Sequence, residues 1–294
     1  MAGERLGWIG LGVMGRPMAL NLLRAGYPLA VWARRPESAQ ALLDAGALWC
    51  VTSAAVARKS RIVFTMLGDD RDVEGVALGP QGLSEGFAPG SVLVDMSTIA
   101  PGTARSIAQG LASGGVDMLD APVSGGVQGA IAATLAIMVG GKASVFERVR
   151  PLFEVLGKTL VHVGDNGAGQ VAKACNQMIM VGCIQAVAEA LHLARTSGAD
   201  PARVHQALSG GSAGSRVLEV FGGRMVECDF SAGVEARLHH KDYGIVLGEA
   251  CRLGVPLPVS GQVWQQLNAL MANDWGRQDT ASLLRVLELS RRPA

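Results

Sequence analysis

Short, nearly uninterrupted apolar runs recur through the first half of the chain: LGWIGLG, PLAVWA, RIVFTML, SVLVDMS, VDMLDAPV, TLAIMVGG and TLVHVG. Continuous rather than alternating hydrophobicity marks a strand covered on both faces, and the stretches between runs are long enough for crossover helices. The pattern predicts an α/β domain with a doubly wound parallel sheet over residues 1–164. Beyond Gly164 the character changes. From Gln170 to Thr196 the chain is apolar, alanine-rich and free of proline, which predicts one long buried helix. DPARVHQALSG then carries a helix start and a glycine stop, and VEARLHHKDYGIVLGEACRLG keeps a helical pattern up to Gly254. No strand is expected after residue 164, so residues 165–294 are read as an all-helical domain joined through the long helix.

Composition narrows the picture. The chain has 294 residues, 49% of them hydrophobic but only 4% aromatic, so its core is aliphatic. A net charge of +1 gives no general attraction to nucleic acid or to an anionic membrane, and neither is expected as a partner. The five cysteines are scattered, odd in number and without CxxC spacing, which fits a reducing cytoplasm rather than a disulfide framework or a zinc site; no metal is expected. Leu6 to Leu23 is apolar enough to suggest a signal peptide or membrane span. Its glycines at 10, 12 and 15, and the interruptions at Arg16 and Asn21, argue against both. The apolar helices exceed what a small helical domain can cover, which predicts a homodimer or homotetramer.

The first candidate chemistry lies in Gly10-Leu11-Gly12-Val13-Met14-Gly15, a G-x-G-x-x-G run between a strand-like and a helix-like segment. In a Rossmann-type unit the first glycine permits the tight turn, the second lets a pyrophosphate reach the backbone, and the third lets helix and strand pack closely. The following helix start supplies N–H groups to the phosphates. An NAD site of this kind places an acid on the ribose about 20 residues further on. Ala33 stands there instead, followed by Arg34 and Arg35. Their planar donors suit a 2′-phosphate, so Arg34 points to NADP, with NAD possible; Arg35 reads equally well as a solvated loop residue. Met66-Leu67 and Ser97-Thr98 follow apolar strands at carboxyl ends, where such a sheet binds its ligand.

Lys173 sits among Val171, Ala172, Ala174 and Cys175, an apolar setting unusual for a surface lysine. Burial or a neighbouring positive charge that lowered its pKa would fit it to proton transfer. Asn176 follows one helical turn later, where its amide can orient a substrate or the ammonium. Gly167 and Gly169 are expected to let the backbone approach a cofactor. Ser124, Gly125 and Gly126 in PVSGG offer a hydroxyl and successive N–H groups to a carboxylate, though the spacing alone fits an ordinary turn as well. His239 and His240 have no partner at metal spacing and read as structural or solvated.

Several stretches together resemble the β-hydroxyacid dehydrogenase (3-hydroxyisobutyrate dehydrogenase-like) family. GLGVMGRPMALNLLRAG is similar to its cofactor motif, DAPVSGGVQGAIAATLAIMVGG to its substrate motif and GAGQVAKACNQ to its catalytic motif. HHKDYGIVLGEACRLGVPLP is similar to a segment of its helical domain, and the motifs follow the family's order along essentially the whole chain. The resemblance implies a hydride transfer between a nicotinamide cofactor and a small carboxylate-bearing aldehyde or hydroxy acid. It further implies Lys173 as general acid or base, Ser124, Gly125, Gly126 and Asn176 on the substrate, Thr98 near the nicotinamide ribose, and Lys241 reaching the active site. Asp242 would brace a helix. GGSAGSRVLE and the length are most similar to the branch reducing tartronate semialdehyde, with 3-hydroxyisobutyrate or succinic semialdehyde as alternative substrates and a non-catalytic cofactor-dependent scaffold as the reading from another class. Ala133 departs from the glycine usual in the family before the Thr134-Leu135 pair.

Overall fold

The structure is a computed structural model, and it describes residues 5–289. Nine strands form one sheet: β1 (Leu6–Ile9), β2 (Leu29–Trp32), β3 (Leu48–Trp49), β4 (Ile62–Thr65), β5 (Val92–Asp95), β6 (Asp117–Asp120), β7 (Val123–Ser124), β8 (Leu135–Gly140) and β9 (Gly157–Gly164). Their order is β3-β2-β1-β4-β5-β6-β8-β7, with β9 also paired to β8. The strands from β3 to β6 are parallel, whereas β8 runs antiparallel to both β6 and β7. Chain order reverses at β1, which pairs with β2 on one side and β4 on the other. That switch point opens a crevice at the carboxyl ends of the strands.

Helices α1 (Gly15–Arg24), α2 (Gln40–Asp44), α3 (Ser53–Arg58), α4 (Asp70–Leu78), α5 (Pro101–Ala112), α6 (Gly126–Ala132) and α7 (Ala143–Phe153) connect the strands. Two apolar clusters form the core of this unit. One gathers Trp8, Met18, Leu22, Phe64, Phe146 and Phe153; the other gathers Ile9, Val63, Leu93, Ile99 and Ile107. Neighbouring strand residues thus point into different clusters, so β1, β4 and β5 are buried throughout and read as continuous apolar runs.

Helix α8 (Ala168–Thr196) follows, then α9 (Pro201–Ser209), α10 (Gly223–Glu227), α11 (Ala236–Leu253), α12 (Pro258–Ala272) and α13 (Leu283–Leu289). Asp200 caps α9 through the Ala202 amide, and Gly254 ends α11 in the left-handed region. Two compact units divide between Lys173 and Ala174, within α8. The second has its own core around Val181, Ile184, Leu191, Tyr243, Leu267 and Leu284. Helix α8 is less buried than expected. Ile179 and Leu193 are well exposed, and 33% of its most apolar 18-residue window is buried.

At the carboxyl ends of β4 and β5 a carboxylate is fully enclosed. One oxygen of Asp95 accepts from Thr65 Oγ1 (2.7 Å), Ser97 Oγ (2.6 Å) and the Ser97 amide (3.3 Å), while Oδ2 has no partner among the described residues. Burial pushes its pKa up from 3.8 to about 6; the bonds from Ser97 and Thr65 oppose the shift, and the charge of Asp120 adds to it. A carboxyl raised in this way favours folding below its unfolded value, and the contribution is lost as pH rises through about 6. Asp95→Asn stays neutral and escapes that loss. Between roughly pH 4 and pH 7 the variant's stability relative to wild type should therefore rise by about 2 kcal/mol. Urea unfolding at several pH values checks this, and a difference independent of pH would refute it.

Candidate active site

The glycine loop turns where β1 ends against β4. Gly10 has a φ of +96°, and a Cβ there would lie 2.1 Å from the Met66 carbonyl oxygen. A Cβ on Gly15 would lie 1.9 Å from the Gly10 carbonyl oxygen. Both positions are closed to any side chain by the protein itself. Gly12 differs, because a Cβ there would meet nothing within 4 Å. Helix α1 begins beside it with no side-chain cap at Met14; the Arg16 amide donates to the Gly12 carbonyl oxygen and Pro17 has no N–H. An open position over an uncapped helix start fits a pyrophosphate. Leu11 is buried and Val13 exposed.

Ala33 follows β2 and is buried in the core cluster. Arg34 is 84% exposed and lies 3.6 Å from Asp72 in the first turn of α4. Sequence reasoning missed Asp72, which is far from Arg34 in the chain. Arg35 is exposed, and its carbonyl oxygen accepts from Ser38. Leu67 follows β4, its amide donating to Ser97 Oγ at 2.8 Å.

Below these loops, Asp120 ends β6 with no exposed surface. Its Oδ1 accepts from the Gly167 amide at 2.7 Å and its Oδ2 from the Gln170 amide at 3.0 Å, so it caps the start of α8 from the sheet. Burial still raises its pKa, against the backbone donors that favour the ion. Two glycines make room for it, and a third makes room for α5 beside it. Added Cβ atoms would lie 2.7 Å from Asp120 Oδ1 at Gly140, 2.4 Å from the Asp120 carbonyl oxygen at Gly169, and 2.7 Å from Arg105 Nη1 at Gly167. For Gly167 and Gly169 the structure supplies a reason the sequence did not: a side chain at either would collide with the protein's own sheet or α5.

Gln170 is buried and brackets the loop after β5. Its Nε2 donates to the Ser97 carbonyl oxygen at 2.8 Å, and its Oε1 accepts from the Ile99 amide at 3.2 Å. Thr98, between those two points, is half-buried. Lys173, 7% exposed, donates from Nζ to the Val123 carbonyl oxygen at 2.8 Å. The ammonium thereby lies next to Ser124, Gly125 and Gly126. Gly125 and Gly126 have φ values of +134° and +63°, which favour glycine and account for the pair. Ala133 ends α6 in the left-handed region at φ +56°, so the glycine usual at this point has a backbone reason that alanine meets with strain.

In the helical unit, Asn176 donates to Gln177 Oε1 at 2.8 Å, and Gln177 donates to Asp242 Oδ2 at 2.5 Å. Asp242 braces α11 against α8 and pairs with Lys241 at 3.1 Å. Tyr243 joins the same brace through the Met178 carbonyl oxygen. Gln177, buried in an apolar helix, was the missed signal. His239 meets Thr280 Oγ1 at 2.7 Å, and His240 meets Asn268 and stacks on Trp264, both within the packing of this unit.

Comparison with known proteins agrees with this arrangement. Residues 5–164 match the NAD binding domain of 6-phosphogluconate dehydrogenase, and residues 167–287 match the family described as NAD-binding of NADP-dependent 3-hydroxyisobutyrate dehydrogenase. The chain is 46% identical over 285 residues to 2-hydroxy-3-oxopropionate reductase of Escherichia coli, covering 97% of each. It is 39% identical over 261 residues to 3-hydroxyisobutyrate dehydrogenase of Pseudomonas aeruginosa, covering 86% of this chain and 88% of that one. Among solved structures, a Mycobacterium tuberculosis 3-hydroxyisobutyrate dehydrogenase with L-serine superposes with a TM-score of 0.89 at 30% identity, over 97% of this chain and 99% of that chain. An open glycine loop, a carboxylate-capped helix and a buried lysine beside a Ser-Gly-Gly turn thus occur in a chain that belongs to the 3-hydroxyisobutyrate dehydrogenase family of nicotinamide-dependent oxidoreductases.

Proposed function

We propose that the protein is an NADP-preferring reductase of a small 3-oxo acid such as tartronate semialdehyde, and in reverse a dehydrogenase of the 3-hydroxy acid. The observation that carries this reading is Lys173, buried with its ammonium 2.8 Å from the Val123 carbonyl oxygen, one residue before the Ser124-Gly125-Gly126 turn. A proton donor and a carboxylate cradle are then adjacent, as reduction of an acid-bearing aldehyde requires. When bound, the nicotinamide supplies or accepts the hydride. Lys173 gives a proton to the carbonyl oxygen in reduction and takes one from the hydroxyl in oxidation. Ser124 with the Gly125 and Gly126 amides orients the substrate acid, and Asn176 assists. Gly10, Gly12 and Gly15 with the start of α1 hold the pyrophosphate, while Met66, Leu67 and Thr98 line the ribose and nicotinamide side. The 46% identity to a 2-hydroxy-3-oxopropionate reductase favours the tartronate semialdehyde reading. The exposed Ile179 and Leu193 on α8 support self-association, and the scattered cysteines support a cytoplasmic location.

Arg34 supports the NADP preference. Its exposed pair with Asp72 contributes roughly 0–1 kcal/mol, whereas a charge-assisted bond to a 2′-phosphate contributes about 1.5–3 kcal/mol, so the phosphate wins the guanidinium. In wild type kcat/KM should be higher with NADP than with NAD. Arg34→Ala should weaken NADP about ten- to hundred-fold with little change for NAD. An unchanged ratio of the two efficiencies would remove Arg34 from the cofactor site.

Two further outcomes test the reading. Lys173→Ala should lower NADPH turnover across a panel of semialdehydes by at least about 10²–10⁴-fold while cofactor binding, read by fluorescence titration, stays near wild type. Near-native turnover with any good substrate would defeat the proposed mechanism. Gly12→Ala should leave thermal stability within about 0.5 kcal/mol, because its methyl meets no protein atom, yet weaken the dinucleotide tenfold or more. Equal binding by the two proteins would show that the open position is not the phosphate cradle.

A further inference from the structure

A second polar cavity lies at the opposite end of the sheet from the glycine loop. Arg5 precedes β1, Ser60 and Arg61 precede β4, and Ser91 precedes β5, so this cavity opens at the amino ends of strands whose carboxyl ends meet the cofactor loops. Four-residue strands separate the two ends by on the order of 13 Å. The cavity encloses about 270 Å³. Arg5, Arg58, Lys59 and Arg61 line it, the rest of its wall is mostly alanine and glycine, and among the described residues no acidic side chain lines it. Among the described residues none of the four cations pairs with an acid; Arg61 donates to the Pro89 carbonyl oxygen at 3.2 Å.

Part of this charge has a local explanation. Arg58 and Lys59 end α3, where cations complement the helix dipole. That dipole amounts to roughly half a negative charge against four positive ones, so it leaves most of the field unbalanced. It does not explain Arg5 or Arg61, which stand on other segments. Nor does it explain two hydroxyls in the wall. Ser60 and Ser91 are 7% and 1% exposed, and neither Oγ has a hydrogen-bond partner among the described residues. Buried hydroxyls left unpaired cost free energy that a ligand oxygen would recover.

We infer that this cavity is a phosphate-binding site separate from the cofactor's, taking inorganic phosphate or the phosphoryl end of a small monoester. A doubly charged tetrahedral oxyanion meets both the clustered guanidinium groups and the two hydroxyls. The volume equals that of about nine waters, enough for a phosphate with a few carbons attached. With no aromatic side chain lining it, the site offers no platform on which a nucleotide base could stack.

Calorimetric titration of the full-length protein, first saturated with its dinucleotide to fill the glycine loop, tests the site. Inorganic phosphate and glycerol phosphate serve as separate titrants at constant ionic strength. Wild type should bind one anion per chain saturably. Arg61→Ala combined with Lys59→Ala should weaken binding tenfold or more, and Ser91→Ala several-fold, with turnover and melting temperature near wild type. Tighter binding of inorganic phosphate identifies the free ion as the ligand, and tighter binding of the monoester identifies a phosphorylated metabolite. Absence of saturable binding by wild type in the millimolar range would overturn the inference. So would equal affinity in the Arg61→Ala, Lys59→Ala variant, whose exposed positions can change without disturbing the fold should Ser91→Ala fail to fold.

Discussion

The Asp120 carboxylate fixes where helix α8 begins, and most of the active-site geometry in the first unit follows from it. An ionised carboxyl buried without partners costs several kcal/mol. Here two backbone amides donate to it, from Gly167 and Gln170, at the positive end of a 29-residue helix. The interaction is mutual. The helix start needs an acceptor for its orphan N–H groups, and the carboxylate needs donors because burial has removed it from water. Gly140, Gly167 and Gly169 leave no space for a methyl around this contact, so the helix cannot slide along the sheet without collision. Lys173 stands one turn beyond Gly169, and its reach to the Val123 carbonyl oxygen is set by that start.

From the same helix start, Gln170 extends the constraint sideways. Its amide holds both ends of the Ser97–Ile99 segment, and Ser97 in turn binds the Leu67 amide and the Asp95 carboxyl, which also binds Thr65. The loops after β4, β5 and β6 are therefore linked through buried side chains. Loops joined in this way hold their groups in place before any ligand arrives, which lowers the ordering cost of binding. Asp95 and Asp120 are register partners on neighbouring strands, so the two buried charges raise each other's cost of ionisation.

The elements that could be read from the chain are those with a local signal. Buried parallel strands announce themselves as apolar runs, and the caps of α9 and α11 stand in sequence beside the helices they end. Strand β3 escaped because it is two residues long at a sheet edge, and β6 and β7 ran together because only Ala121 and Pro122 separate them. The antiparallel turn of β8 leaves no mark, since a buried strand looks the same in either direction. Gly12 and Lys173 were legible through spacing and setting. Asp120, Gln170 and Asp72 were not, because their partners lie dozens of residues away and a lone acid or glutamine carries no pattern. Gly167 and Gly169 were legible as glycines but not as to what approaches them.

The groups divide by how tightly the protein holds them. Asp95, Asp120 and Gln170 are buried and hydrogen-bonded to backbone, and each serves more than one segment, so replacing any of them disturbs several loops together. Arg34 is mostly exposed and held by one loose ion pair, and a side chain added at Gly12 would face open space. Changes at these rim positions alter contact with a ligand while leaving the scaffold's own bonds intact. Arg34 can therefore be replaced without moving Lys173. The position of Lys173 cannot vary so freely, because it shares its support with the start of α8 and the loop that carries Thr98. A scaffold with this division keeps one reaction geometry while its ligand preferences change at the edge.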